Sequence, residues 1–552
     1  MRIALFLACG LTLFAADSDI PHLRKQGTAT QLIVDGKPFL ALAGELGNNT
    51  ATSLEYMQAV WPKLVESRLN TALAAVPWAQ IEPTEGRFDF HVLDGVIDGA
   101  RAHHMHLMLL WFGSWKNGLS TYPPDWVKRQ FERFPRTQIA DGKPIELLSP
   151  FSTANCDADA RAFAALMRHL KEVDGRQHTV VMIQVENEVG VPGDSRDRSA
   201  IANEAWAKPV PPELMGYLAK NKDTLIPELR RVWEAAGSRS SGTWQEVFGQ
   251  TPATDEIFMG WAFARYIGHV AAAGKAEYPL PMFVNGYVYG FPKPGQLHNS
   301  QSGSPMPDTI DIWKAGAPRI DILSPDIYDN DFAEMCARFN RGGNPLFIPE
   351  TRGLPPNGLE ARVLFAFGRH DAIGISPMGI ERPASPDIEL VSAYDLMAQL
   401  MPLVEEHQGN GTMSAVLLGA GDPPRKVTVG DYTLEVSYPK PRLLPGTPPP
   451  QPPFPNAVGI FIAVGPDEYY AAGNGVVAAF SPNTPGPPFA GLATVEEGVF
   501  VDGRWVPGRT LAGDDTSSQG LVLPRLHEVK DHPALFGPSF KGIVHVTLYR
   551  YR

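Results

Sequence analysis

Two glutamates stand where buried strands run out. Val180-Val181-Met182-Ile183-Gln184-Val185 is an apolar, β-branched run that ends in Glu186-Asn187-Glu188, and Leu346-Phe347-Ile348-Pro349 ends in Glu350. A carboxyl group at the mouth of a buried strand is costly unless something uses it. Two such groups facing each other across a gap can cleave a glycosidic bond. One protonates the leaving oxygen, and the other attacks the anomeric carbon or activates water. A separation of roughly 5.5 Å gives a covalent intermediate and retained configuration. Arg352, two residues beyond Glu350, brings a guanidinium to that neighbourhood and would favour an ionised carboxylate.

These acids need a frame that turns strand ends toward one point. Eight apolar segments read as strands: Phe39 to Ala43, Leu69 to Val76, Leu107 to Trp111, Val180 to Glu188, Pro281 to Asn285, Ile320 to Tyr328, Leu346 to Glu350 and Ala372 to Ser376. Helical or long connecting sequence separates them, such as Ser53 to Arg68 with Leu54, Met57, Val60, Trp61, Leu64 and Val65 on one face. Alternating βα units make a parallel sheet, and eight of them close as a (β/α)₈ barrel whose chemistry sits at the C-terminal strand ends. Glu188 then ends strand four and Glu350 strand seven. Beyond Leu403 the texture becomes all-β, with strand-like Ser414 to Leu418, Lys426 to Val436, Val458 to Val464, Tyr469 to Phe480 and Val544 to Tyr551. The expected organisation is a barrel over 17–403 and a smaller, sandwich-like all-β domain over 404–552. The nine prolines from Pro439 to Pro455 form a stiff loop inside that second domain.

Composition narrows the partners. Forty-four per cent hydrophobic and 20% charged residues describe a globular chain. A formal net charge of -12 argues against a nucleic-acid groove and is compatible with a neutral carbohydrate. Met1-Arg2, the apolar stretch Ile3 to Phe14 and Ala15-Ala16 have the layout of a signal peptide over 1–16, so the expected location is exported, periplasmic or extracellular. No later run is long enough for a membrane span. Cys156 and Cys336 lack metal-ligand spacing and read as buried thiols, with one disulfide as the alternative. His103, His104 and His106 straddle a helix end and a strand start, so they diverge. No metal and no cofactor is expected.

The sequence resembles the retaining (β/α)₈-barrel glycoside hydrolases with two catalytic glutamates. The stretch Asn70-Thr71, Val76-Pro77-Trp78, Glu82-Pro83 and Gly86-Arg87-Phe88-Asp89-Phe90, together with Gln184 to Glu188, is similar to their β-galactosidase families. Gly465-Pro466-Asp467-Glu468-Tyr469 and Asp502-Gly503-Arg504-Trp505-Val506-Pro507-Gly508-Arg509 are similar to the β-domain attached to a bacterial subgroup. The resemblance implies Glu188 as acid/base, Glu350 as nucleophile, Asn187 on the sugar 2-hydroxyl and Tyr328 beside the nucleophile. Ala79 stands where many relatives have Asn, and Trp111 to Asn117 replaces their acidic third-strand loop. Trp115 and Asn117 follow strand three and are expected to stack on and bond the sugar. Asn285 is a pocket candidate with core packing as the alternative. Glu45 ends strand one, either as a sugar ligand or as a hydrogen-bonded buried acid. Glu186 points away from its neighbours and is expected in a structural salt bridge. The implied activity is a retaining exo-glycoside hydrolase acting on β-galactosides. The alternatives are the same chemistry on β-glucosides, β-xylosides or α-L-arabinopyranosides, or a barrel that binds carbohydrate without turnover.

Overall fold

The computed structural model describes residues 20–287, 290–293, 295–328, 331–352, 358–419, 421–438, 456–513, 516, 520–523 and 542–552. The signal-peptide stretch and the proline-rich loop lie outside the described residues. Eight parallel strands close into a barrel: β1 (Ala41–Glu45), β2 (Thr71–Pro77), β3 (His106–Lys116), β4 (Val180–Asn187), β5 (Met282–Tyr287), β6 (Ile322–Ile327), β7 (Phe347–Thr351) and β8 (Gly374–Pro377). The register pairs Asp326 with Glu350 and Lys116 with Asn187, so strand-end side chains from neighbouring strands converge.

Packing explains the closure. Leu73, Met108, Leu110, Met182, Phe283, Ile322, Phe347 and Ile373 fill the barrel interior as one buried cluster. Leu32 and Val34 join that cluster from an antiparallel three-stranded sheet, His22–Gln26, Ala29–Val34 and Lys37–Phe39, which packs on the barrel ahead of β1. Phe39 ends that sheet, so the first barrel strand starts at Ala41 rather than at the expected Phe39. The helices Thr153–Asp174 and Pro252–Glu277 lie against each other outside the barrel, where a Cβ on Gly274 would strike the Phe163 ring.

Two antiparallel sheets follow the helix Ile388–His407. One runs Met413–Gly419, Asn456–Gly465, Glu468–Asn474, Ile543–Tyr551, Phe489–Val501, Arg504–Thr510; the other runs Arg425–Val429, Tyr432–Ser437, Val476–Pro482, Leu521–Leu523. Their inner faces share a core of Leu418, Tyr432, Leu434, Phe461, Tyr469, Val476 and Val546. The segments Lys426 to Val436 and Tyr469 to Phe480 each divide into two strands, at Gly430 and Gly475, both with positive φ. Ile460, Ile462 and Ile543 also belong to the barrel's outer core, so the sandwich packs on the barrel; Gly368 leaves room there for Ala415 and Ile460. Cys156 and Cys336 are both free thiols. Among the described residues, no helix is long and apolar enough to cross a membrane.

Candidate active site

β4 delivers the central residues. Its interior is apolar, but Glu186 and Glu188 both take positive φ, 64° and 42°, around Asn187. Such backbone costs about 1–3 kcal/mol per non-glycine residue and persists only where neighbours enforce it. They do so here. The Glu188 N–H donates to Asn285 Oδ1 at 3.1 Å, and the Glu188 carbonyl accepts from Gly118 N at 3.1 Å. Glu186 Oε1 and Oε2 accept the Ser114 and Trp115 N–H groups at 2.9 and 2.6 Å. A Cβ on Gly113 would lie 2.5 Å from Glu186 Oε1, so glycine is what lets β3 bulge around this carboxyl group. Burial and then the charge of Asp159 hold Glu186 well above the carboxylate range. The expected salt bridge is not what holds Glu186: among the described residues it has backbone donors and an acid neighbour instead of a cation.

Glu350, on β7, is 4% exposed and receives three hydrogen bonds. Asn187 Nδ2 and Asn285 Nδ2 donate to its Oε1, each at 3.3 Å, and the Tyr328 hydroxyl donates to Oε2 at 2.5 Å. Lys116, at the end of β3, is buried and its Nζ donates to Asn187 Oδ1 at 2.7 Å, which fixes the amide that faces Glu350. Asn285 Nδ2 also donates to Asp326 Oδ2 at 2.9 Å.

One carboxylate oxygen each from Glu188, Asp326 and Glu350 lie within 4.8 Å of one another. Burial first, and the Glu350 charge second, push Glu188 up to about 7; the Lys116 charge and a hydrogen bond with Asp326 act the other way. Asp326 is raised well above its usual range by burial and by the charges of Glu350, Glu188 and Glu45. The pair facing each other therefore differs in character. Glu350 accepts three hydrogen bonds, while Glu188 holds a proton up to neutral pH and, among the described residues, keeps Oε1 without a partner. Three clustered acids are also the donor type a hard cation takes.

Glu45 is buried at the end of β1 beside this cluster, and Asn285 and Tyr328 touch the glutamate pair. Trp115 does not face the mouth. It is fully buried against Phe263 and Tyr266, and its Nε1 donates to the Leu148 carbonyl at 2.9 Å, so it is a core residue. Asn117 is exposed, and it is its backbone N–H that bonds, to the Asn187 carbonyl at 3.2 Å. Arg352 is exposed, and among the described residues Lys116 is a cation acting on Glu188 and Glu45. Lys116 and Asp326 are the site residues that sequence reasoning missed. Glu82 fixes its loop, accepting Trp78 Nε1 at 2.9 Å and Gly86 N at 2.7 Å.

Residues 55–260 match the family model described as Beta-galactosidase, of glycoside hydrolase family 42. This segment of the barrel is similar to that glycoside hydrolase family. It spans β2 to β4 and contains Asn187 and Glu188, while Glu350 lies beyond it. Residues 390–522 match a model described as Domain of unknown function (DUF5597), which begins within the helix Ile388–His407 and runs into the sandwich. Among solved structures, the β-galactosidase of Bacillus circulans sp. alkalophilus is similar at 15% identity and TM-score 0.43, over 65% of this chain and 56% of that one. The Marinomonas ef1 β-galactosidase is similar at 13% identity and TM-score 0.42, over 66% and 60%. The catalytic domain of the Paenibacillus polymyxa β-amylase is similar at 12% identity and TM-score 0.44, over 67% and 97%. The chain thus spans little more than half the length of the β-galactosidases it is similar to. No curated protein sequence matched the chain.

Proposed function

We propose that this glycoside hydrolase releases a terminal sugar, β-galactose in the first instance, by double displacement with retained configuration. The observation that carries the reading is the oxygen spacing within 4.8 Å between Glu188 and Glu350. Retaining pairs sit about 5–5.5 Å apart, whereas inverting pairs need about 6.5–9.5 Å to admit water. A Glu350 oxygen attacks the anomeric carbon as the glycosidic bond breaks, and Glu188 gives its proton to the departing oxygen. The sugar is then an ester of Glu350. Glu188, now ionised, takes a proton from water, whose oxygen attacks the same carbon and restores the Glu350 carboxylate. Asn187, held by Lys116, is poised to bond the 2-hydroxyl, and Tyr328 keeps Glu350 in place.

β-Glucosidase, β-xylosidase and α-L-arabinopyranosidase activity use the same steps, and a panel of aryl glycosides separates them. The test of the roles is azide rescue. Glu188→Ala should recover turnover with azide and give a β-glycosyl azide. Glu350→Ala should recover with inversion and give the α-azide. The opposite pattern would reverse the assignment. Near-normal turnover in both variants without azide would remove it.

A further inference from the structure

On the β8–β1 side of the mouth, several acceptor oxygens have nothing donating to them among the described residues. Glu45 is 1% exposed, and neither of its carboxyl oxygens has a hydrogen-bond partner. Glu381, in the loop after β8, is buried; its Oε1 accepts from Gly47 N at 2.9 Å and Thr50 Oγ1 at 2.7 Å, while Oε2 has no partner. Asn48 leaves its Oδ1 in the same condition. These residues are held together by the backbone. The Glu45 carbonyl accepts from Gly379 N at 2.8 Å and Ile380 N at 3.2 Å, which seats the 378–382 loop on the end of β1.

Glu45 is the last residue of β1, at the same face of the barrel as the ends of β4 and β7 that carry Glu188 and Glu350. Burial holds it well above the carboxylate range, and after burial the largest influence is the charge of Glu350, followed by Lys116, Glu188 and Glu381. A buried carboxyl group with no partner is destabilising, so a purely structural role would have supplied it with donors. What the wall lacks is donors, and a sugar ring carries hydroxyls that supply them. The two oxygens of one carboxylate can accept from two adjacent ring hydroxyls together. A cation would demand more ligands, and the triple acid cluster among the described residues is Glu188, Asp326 and Glu350, not this one.

We infer that Glu45, backed by Glu381 and Asn48, is the specificity wall of the terminal-sugar subsite, accepting hydrogen bonds from two neighbouring hydroxyls of the ring held on Glu350. The inference rests on the proposed glycosidase reading and adds which group selects the sugar. Glu45 does not take part in bond cleavage; it reads the ring.

The test compares wild type with Glu45→Gln and Glu45→Ala in stability and in coupling to single hydroxyls. Melting temperature should hold or rise in both variants, because an unpartnered buried acid is removed. A fall in both would mark Glu45 as structural and overturn the inference. On the best aryl glycoside and its monodeoxy analogues, wild type should lose on the order of 10²-fold or more in kcat/KM when a contacted hydroxyl is removed. In Glu45→Ala the same deletion should cost less than about fivefold, with Glu45→Gln between. Equal penalties in wild type and Glu45→Ala overturn the inference while leaving the glycosidase reading intact. If wild type turns over no glycoside, that reading fails. Thermal shift with free monosaccharides at millimolar concentration then decides Glu45: stabilisation of wild type but not of Glu45→Ala supports the wall, and equal stabilisation refutes it. Stabilisation of wild type alone by calcium would also refute it, as a cation site.

Discussion

Glu350→Gln removes one negative charge beside Glu188 and keeps the side chain's size. The effect on Glu188 can be sized from geometry. At the 4.8 Å limit between their nearest oxygens, and an effective dielectric of about 20, a unit charge acts with about 3 kcal/mol, or roughly two pKa units. Glu188 should therefore fall from about 7 toward roughly 5, with burial keeping it from falling further. Carbon-detected NMR of carboxyl-labelled glutamate, assigned by comparison with Glu188→Gln, reads this directly. The consequence is chemical: in the proposed reaction, esterification of Glu350 in the first step removes the same charge. The group that donated a proton then becomes a base when water must be activated. If Glu188 titrates within half a unit of its wild-type value in Glu350→Gln, the electrostatic link between the two carboxyl groups is wrong.

Three other outcomes follow from the same cluster. Lys116→Met removes a charge that lowers Glu188 and a donor that holds Asn187. The basic limb of the kcat/KM–pH profile should move up, and kcat should drop on the order of 10-fold or more. Burial first, and then the charges of Glu350, Glu188 and Glu45, favour the neutral form of Asp326, so Asp326→Asn should keep activity within about tenfold while Asp326→Ala loses on the order of 10²-fold. Equal losses in steady-state kinetics would mean that Asp326 works ionised. Dialysis against a chelator should leave turnover unchanged, since the acid cluster is assigned to sugar chemistry; activity restored only by a divalent cation would reassign it.

Much of this site was legible because strand ends are. The apolar runs into Glu188 and Glu350 mark two positions at the barrel's C-terminal face whatever their exact limits. Lys116 was missed because β3 was expected to end at Trp111. It continues to Lys116 through an irregularity between Trp111 and Lys116, and that shift moves the inward-facing position from Trp115 to its neighbour. Asp326 satisfied the same strand-end rule but sat inside an expected strand that ran on to Tyr328. The positive φ values at Glu186 and Glu188 leave no trace in residue type, since neither is glycine. In the sandwich, Arg504–Thr510 was not legible as a strand, because most of its side chains are exposed and it has no apolar alternation.

The central claim is that Glu350 carries the sugar between the two steps while Glu188 handles the proton. The direct measurement is to trap the intermediate with a 2-deoxy-2-fluoro glycosyl fluoride of the preferred sugar and map the label by mass spectrometry of the digested protein. One sugar per chain is expected, attached to Glu350 and absent in Glu350→Gln. A label on Glu188, Asp326 or any other residue, or none in a preparation that turns over the parent glycoside with inversion, would contradict it.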